Sequence, residues 1–335
     1  MVNYIRGVDK LYALNSISPL LYQSIREFLF RKGKRVRPIL FVIGYRGFSK
    51  GAAQGLYRTA ISLELLHDFF LVHDDIIDKS LTRRGQPSMH QLLNKHLTQH
   101  KNLKFSGEDL AIVVGDVLYA MALDAFLAIK EDMLRKEAAL QKLIQAALYT
   151  CSGEFIELTK GIAPIEKITK EDIYKIYDLK TANYTFVSPL SIGATLAGAD
   201  KKQLDILYKY GIALGRAFQI KDDIIGIFSS ESKIGKPNLT DLQEGKKTIL
   251  IWQAYKNSGF KERHVIKDIL SKKRVTRYDL DKIRSIIRSS GALQYTKNEV
   301  RRLLHQAKET MYDSTMASRW KNILESYTCN LLEVN

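Results

Sequence analysis

Cysteine is nearly absent from this 335-residue chain: Cys151 and Cys329 are the two present, far apart and without metal-ligand spacing. That excludes a disulfide framework and a cysteine-bound metal, and places the chain in a reducing, cytoplasmic setting. Proline is also scarce, at six residues, and no Pro/Gly/Ser-rich linker interrupts the sequence. A single domain over residues 1–335 is therefore expected, although the length alone suggests two. Residues 1–12 lack the continuous apolar run of a signal peptide. The longest membrane-like run, 110–129, contains Gly115, Asp116 and Asp124. It reads as a buried helix, so no transmembrane segment is expected. Alternating strand patterns are missing too.

What remains reads as helix throughout. Ser18-Pro19 is an N-cap followed by proline at the first helical position. Further helices are expected over about 38–47, 52–78, 108–129, 134–160 and 201–228. Thr169 with Asp172 resembles a capping box opening another, which should break or kink at Pro189. Ser229 to Asn238 reads as a loop. The fold class is all-α, around one core.

The formal charge is +16, from 52 basic and 36 acidic side chains. Such a balance fits nucleic acid, an anionic membrane surface or a polyanionic small substrate. Many of the cations fall in the last third, including Lys272, Lys273, Arg274, Arg288, Arg301 and Arg302, without regularly interleaved aromatics. Solvated helix faces account for these, and no nucleic-acid partner is expected.

One stretch stands apart: ELLHDFFLVHDDIID, Glu64 to Asp78. Its first turns are apolar on every side, as in a helix at the centre of a large helical domain. It nevertheless ends in Asp74, Asp75 and Asp78. Asp74 and Asp78 are four apart and share a face, with His67 and Phe70 close to the same line. Paired carboxylates one turn apart suit a hard divalent cation carrying a phosphate. A lone D-D-x-x-D is equally compatible with a solvated helix end. A second apolar helix repeats the pattern in FQIKDDIIG, Phe218 to Gly226, where Gln219, Asp222 and Asp223 share a face. Acid clusters on two central helices can face each other only if cations lie between them. Cations stand at special places as well: Lys34, Arg35 and Arg37 just before a helix start, and Arg83-Arg84 just after the first acid cluster. Lys180-Thr181, Lys236 and Lys246 lie near expected helix ends or loops.

Together with GKRVRP (33–38), RRGQP (83–87), Gly115-Asp116, Lys180-Thr181 and GKPNLTDLQEGKKT (235–248), these segments resemble, in order and spacing, the polyprenyl synthetase family of all-trans isoprenyl diphosphate synthases. The resemblance covers roughly Lys32 to Thr248; beyond it only helical character matches. It implies an all-α, single-domain bundle of about ten or more helices around a deep central active-site cavity. It also implies Mg²⁺-dependent condensation of isopentenyl diphosphate with an allylic diphosphate (dimethylallyl, geranyl or farnesyl). Carried over by position, Asp74 and Asp78 would bind Mg²⁺, with Asp222 holding a further ion, two to three in all. Arg83, Lys180, Lys236 and Lys246 would contact the allylic diphosphate. Lys34, Arg37, His67 and Arg84 would hold isopentenyl diphosphate, and Thr181 and Gln219 would sit near the allylic cation. A homodimer is implied as well.

Two departures from the family pattern stand out: Gly226 where many members carry a third aspartate, and a basic segment, Asn94 to Gly107, longer than the usual connection. Phe69 and Phe70 precede Asp74 by about 6–7.5 Å along the helix axis and would form a shallow floor limiting the product to C15 or C20. The aromatic pair favours C15, and the archaeal look of Gly226 favours C20. A terpene cyclase is the alternative enzyme, opposed by Lys34, Arg37 and the Asp222-Asp223 pair. A non-catalytic synthase subunit is opposed by the intact Asp74, Asp78, Arg83, Arg84 and Lys180-Thr181.

Overall fold

The computed structural model describes residues 1–229 and 239–332. Its contacts divide the chain into two compact units, residues 1–42 with 51–133, and 43–50 with 134 onward.

In the first unit, α1 (Val2–Tyr12) and α2 (Leu14–Ile17) lead into α3 (Pro19–Leu29), where the Ser18 side chain accepts from the Leu21 N–H at 3.3 Å. Proline at N1 and a serine cap are the start signals expected there. Next, α4 (Val36–Phe48) carries residues 43–48 into the second unit. The central α5 (Leu56–Ile77) starts just after Gly55, four residues later than the sequence pattern indicates. After it, β1 (Thr82–Arg83) pairs antiparallel with β2 (Gln86–Pro87) in a hairpin too short to leave an alternating pattern. Its two-residue loop, Arg84-Gly85, has positive φ at both positions (56° and 73°), as a type I′ turn requires. Then come α6 (Met89–Leu97) and α7 (Gly107–Phe126), the latter opened by a Ser106/Asp109 capping box. Helix α7 packs along α5, and Gly115 makes that approach possible. A Cβ there would lie 2.3 Å from Nε2 of His73, so the Gly-Asp motif leaves room for an α5 side chain.

The second unit is built on α8 (Met133–Ile162), α9 (Lys170–Tyr177), a π-helix (Asp178–Val187), α10 (Ser188–Leu196) and α11 (Lys201–Phe228). The Thr169/Asp172 capping box opens α9 as expected. The break expected at Pro189 takes another form. The backbone changes from π to α winding at Ser188, so Pro189 falls at the second position of α10, where the winding changes rather than the helix ending. Single π segments inside helical runs concentrate at functional sites, and this one carries Lys180-Thr181. Against it lies α11, whose Gly211 and Gly215 face Val187 and Ala182. The remaining helices include Thr240–Gln243, Ile249–Asn257, Ala292–Thr310 and Ser318–Leu332. No described helix is long and apolar enough to cross a membrane.

Candidate active site

The C-terminal end of α5 separates its three aspartates by environment. Asp74 and Asp78 are half-buried, and the Asp78 N–H closes the last turn on the Asp74 carbonyl at 2.8 Å. Asp75 is fully buried and is held by Arg83, whose Nε donates to Oδ1 at 2.9 Å and whose Nη2 donates to the same oxygen. Burial raises the Asp75 pKa, and Arg83 acts against that rise. Arg83, expected on the allylic diphosphate, thus has a structural anchor inside the first unit. Among the described residues no group of three or more His, Cys, Asp or Glu side chains gathers as a ligand set. Magnesium does not need one: it is bound through one or two carboxylates and completes its octahedron with water and phosphate oxygens. The Asp74/Asp78 pair, hard oxygen donors one turn apart, fits that requirement.

Nearly three turns earlier, the same helix carries a buried acid pair that sequence reasoning passed over. Glu64 and Asp68 are 2 % and 0 % exposed and lie one turn apart. Two arginines converge on them from different loops. Arg35 pairs with Glu64 and approaches Asp68 at 4.0 Å; Arg84 reaches Glu64 and Asp68 at 3.3 Å each. Arg35 also donates to the carbonyls of Leu29 and Arg31 at 2.8 and 2.7 Å, so it ties the end of α3 to α5. Both arginines have positive φ, 49° and 56°, conformations a non-glycine residue adopts against a local preference of about 1–2 kcal/mol. Strain of this kind persists where surrounding contacts hold it and gathers at functional sites.

These anchors set the neighbouring cations in place. Arg37 is buried and Lys34 exposed. Desolvation lowers the His67 pKa well below its ordinary value, and Arg37, Arg84, Arg83 and Arg35 push it the same way. His67 is therefore a neutral imidazole among guanidinium groups. Of the residues expected around isopentenyl diphosphate, the first unit gathers Arg37, His67 and Arg84. Beside Arg84 lies a cleft of 830 Å³ lined also by Arg26, Arg31 and Lys32.

Asp68 gives this cluster a pH signature. Burial, reinforced by Glu64 and opposed by Arg84, Arg35 and Arg37, pushes its pKa up to about 8. The folded protein thus holds a proton that the unfolded chain releases near pH 4. This contribution to stability is complete below about pH 4 and is lost as pH rises to about 8. Asp68→Asn, which mimics the protonated form, should lose less thermal stability than the wild type between pH 5 and 8.5. Parallel Tm-against-pH curves would remove the assignment.

Phe69 and Phe70 have ring centroids 5.1 Å apart, and Phe70 is buried. Phe69 also meets Tyr119 of α7 at 5.3 Å and stands edge-on to His73 at 4.7 Å. The aromatic layer beneath Asp74 is thus wider than the two residues read from the sequence.

In the second unit, the π-helix and α11 bring Thr181 and Gln219 together: the threonine hydroxyl donates to Oε1 at 2.7 Å. Lys180 is held by Glu154 and by Glu157, the latter at 2.6 Å, both on α8. Lys246 pairs with Glu244 at 2.5 Å. Lys236 lies outside the described residues. The second acid pair divides as the first does. Asp222 is exposed, whereas Asp223 is 4 % exposed and accepts hydrogen bonds from Gln219 and Tyr177. Gly226, the departure from the family pattern, is buried one turn further on.

Sequence reasoning thus marked Arg35 without its partners and missed Glu64, Asp68, Glu154, Glu157 and Tyr177. The signal for Glu64 and Asp68 was the one that exposed Asp74 and Asp78, namely acids one turn apart in a helix apolar on all sides.

Comparison with known proteins places this arrangement. The chain is 31% identical over 278 residues to the short chain isoprenyl diphosphate synthase of Methanocaldococcus jannaschii, covering 83% of this chain and 78% of that one. It is 30% identical over 302 residues to the geranylgeranyl diphosphate synthase of Sulfolobus acidocaldarius, covering 89% and 85%. Its fold matches the crystal structure of geranylgeranyl pyrophosphate synthase from Corynebacterium glutamicum complexed with isoprenyl diphosphate and magnesium. That match has a TM-score of 0.90 at 24% identity, over 99% of this chain and 96% of the other. The polyprenyl synthetase profile matches residues 18–287, and the chain belongs to the polyprenyl synthetase family.

Proposed function

We propose that this prenyltransferase joins isopentenyl diphosphate to an allylic diphosphate with Mg²⁺, giving an all-trans C15 or C20 diphosphate. The observation that carries this reading lies within one helix. α5 presents the Asp74/Asp78 pair at its end, and His67 seven residues earlier, roughly 10 Å along the axis, beside Arg37 and Arg84. One helix thus serves two diphosphates at separate sites, which a chain-elongating synthase needs and a terpene cyclase does not.

In the reaction the C–O bond of the allylic diphosphate breaks and the double bond of isopentenyl diphosphate attacks the resulting cation. A proton then leaves to the released diphosphate. Bound at Asp74 and Asp78, with a further ion at Asp222, Mg²⁺ supplies charge neutralisation for the departing group. Lys34, Arg37 and Arg84 bind the second diphosphate, with His67 neutral among them. Arg83, Lys180, Lys236 and Lys246 bind the first. Thr181 and Gln219 offer oxygen dipoles to the cation, a form of electrostatic stabilisation most effective in a dry site. A cytoplasmic homodimer is the proposed assembly. Helix α8 exposes Ile144, Leu148, Phe155 and Ile162 on one face (45, 59, 69 and 86 %), an apolar stripe that a second copy would cover.

Supplying dimethylallyl, geranyl and farnesyl diphosphate in turn and chromatographing the products tests the reading. Each accepted starter should be extended to the same final length. Replacing Phe69 and Phe70 together by alanine should lengthen the main product by at least one five-carbon unit. An unchanged length distribution would remove these rings as the floor.

A further inference from the structure

A directed chain of hydrogen bonds runs through the second unit behind Thr181. At one end the backbone N–H of Ile249, the first residue of its helix, donates to the Tyr177 hydroxyl oxygen at 2.9 Å. Tyr177 is 5 % exposed, with a pKa raised first by burial and then by Asp223, so it keeps its proton. Because its oxygen already accepts from a group that can only donate, that proton goes to Oδ2 of Asp223. The other carboxylate oxygen, Oδ1, receives the side-chain N–H of Gln219 at 3.0 Å. The Gln219 amide thus turns its nitrogen to Asp223 and its oxygen to Thr181. The Thr181 hydroxyl then donates to Gln219 at 2.7 Å. Every link thus runs one way, with Asp223 accepting from both sides.

We infer that Tyr177 and Asp223 are positioning residues that hold the Thr181 proton on Gln219, leaving the threonine lone pairs to face the allylic cation. This rests on the placement of Thr181 beside that cation. With the amide reversed, Gln219 would donate to Thr181 and the hydroxyl would present its proton, a positive dipole end, to a developing positive charge. Asp223→Asn permits that reversal, since an asparagine can offer either its oxygen or its nitrogen to Gln219. It also keeps the shape of the side chain.

Steady-state kinetics on the full chain test this with Thr181→Val, Asp223→Asn, the double variant and Tyr177→Phe. Asp223→Asn should lower kcat roughly 10- to 100-fold, with both KM values and the Mg²⁺ requirement within about twofold of wild type. Tyr177→Phe, which removes one donor and keeps the ring, should lower kcat by a smaller factor in the same way. The decisive readout is coupling: in the Thr181→Val background Asp223→Asn should cause a clearly smaller loss than in wild type, because the hydroxyl is gone and only the Gln219 dipole remains to be reversed. Losses that multiply, or that appear in KM or the Mg²⁺ requirement, would overturn the positioning role. Wild-type kcat in Thr181→Val would instead show that the placement of Thr181 is wrong, and the inference would fall with it.

Discussion

Alanine at Asp74 or Asp78 is expected to lower the rate of condensation roughly 10³-fold while changing folding stability by no more than about 1 kcal/mol. These carboxylates sit half-buried at the end of α5, and their proposed work is done only when metal and diphosphate are present. Alanine at Asp75 should reverse the pattern. Asp75 is fully buried with Arg83 on it, and removing one partner of a buried pair strands the other charge, at a cost of about 3–5 kcal/mol. Thermal unfolding and initial rates on the three variants distinguish the roles. Equal losses of stability at all three positions would contradict this division of labour.

The second large effect is expected at Gly215. A Cβ there would stand 2.2 Å from Cβ and 2.3 Å from Cα of Ala182, in the π-helix one residue after Thr181. Backbone on one side and a helix on the other leave no flexible side chain to yield. Gly215→Val should therefore destabilise the protein by about 3 kcal/mol or more. It should also pull Thr181 away from Gln219, lowering kcat of the folded fraction roughly 10²-fold. Urea unfolding and active-site-normalised rates measure the two separately. Wild-type kcat in the folded fraction would show that the Thr181–Gln219 contact does not depend on this close approach.

Much of this organisation was legible in the residues. Apolar periodicity with caps such as Ser18-Pro19 and Thr169/Asp172 located the helices, because these signals are local. Asp74, Asp78 and Asp222 were legible because a carboxylate in an apolar helix needs a reason. What the pattern could not show was what becomes of their neighbours Asp75 and Asp223. Adjacent helix positions differ by 100° in direction, and only packing against Arg83 or Tyr177 decides which of the two is buried. The π winding at Asp178–Val187 was hidden for a related reason. It depends on Gly211 and Gly215 approaching from α11, more than twenty residues away in sequence. Arg35 and Arg84 stood out as cations beside a helix start and the first acid cluster, but their anchoring on Glu64 and Asp68 was hidden because it joins three segments distant in the chain.

The central claim is that this chain consumes two diphosphates, one held at the Asp74/Asp78 end of α5 and the other near His67. The most direct measurement is incorporation of labelled isopentenyl diphosphate into chain-extended product, with an allylic starter present, in Mg²⁺ and after chelation. The account predicts Mg²⁺-dependent incorporation ending at C15 or C20 and none in chelator. Isopentenyl diphosphate left unconsumed while the allylic diphosphate is turned into a cyclised product would contradict it.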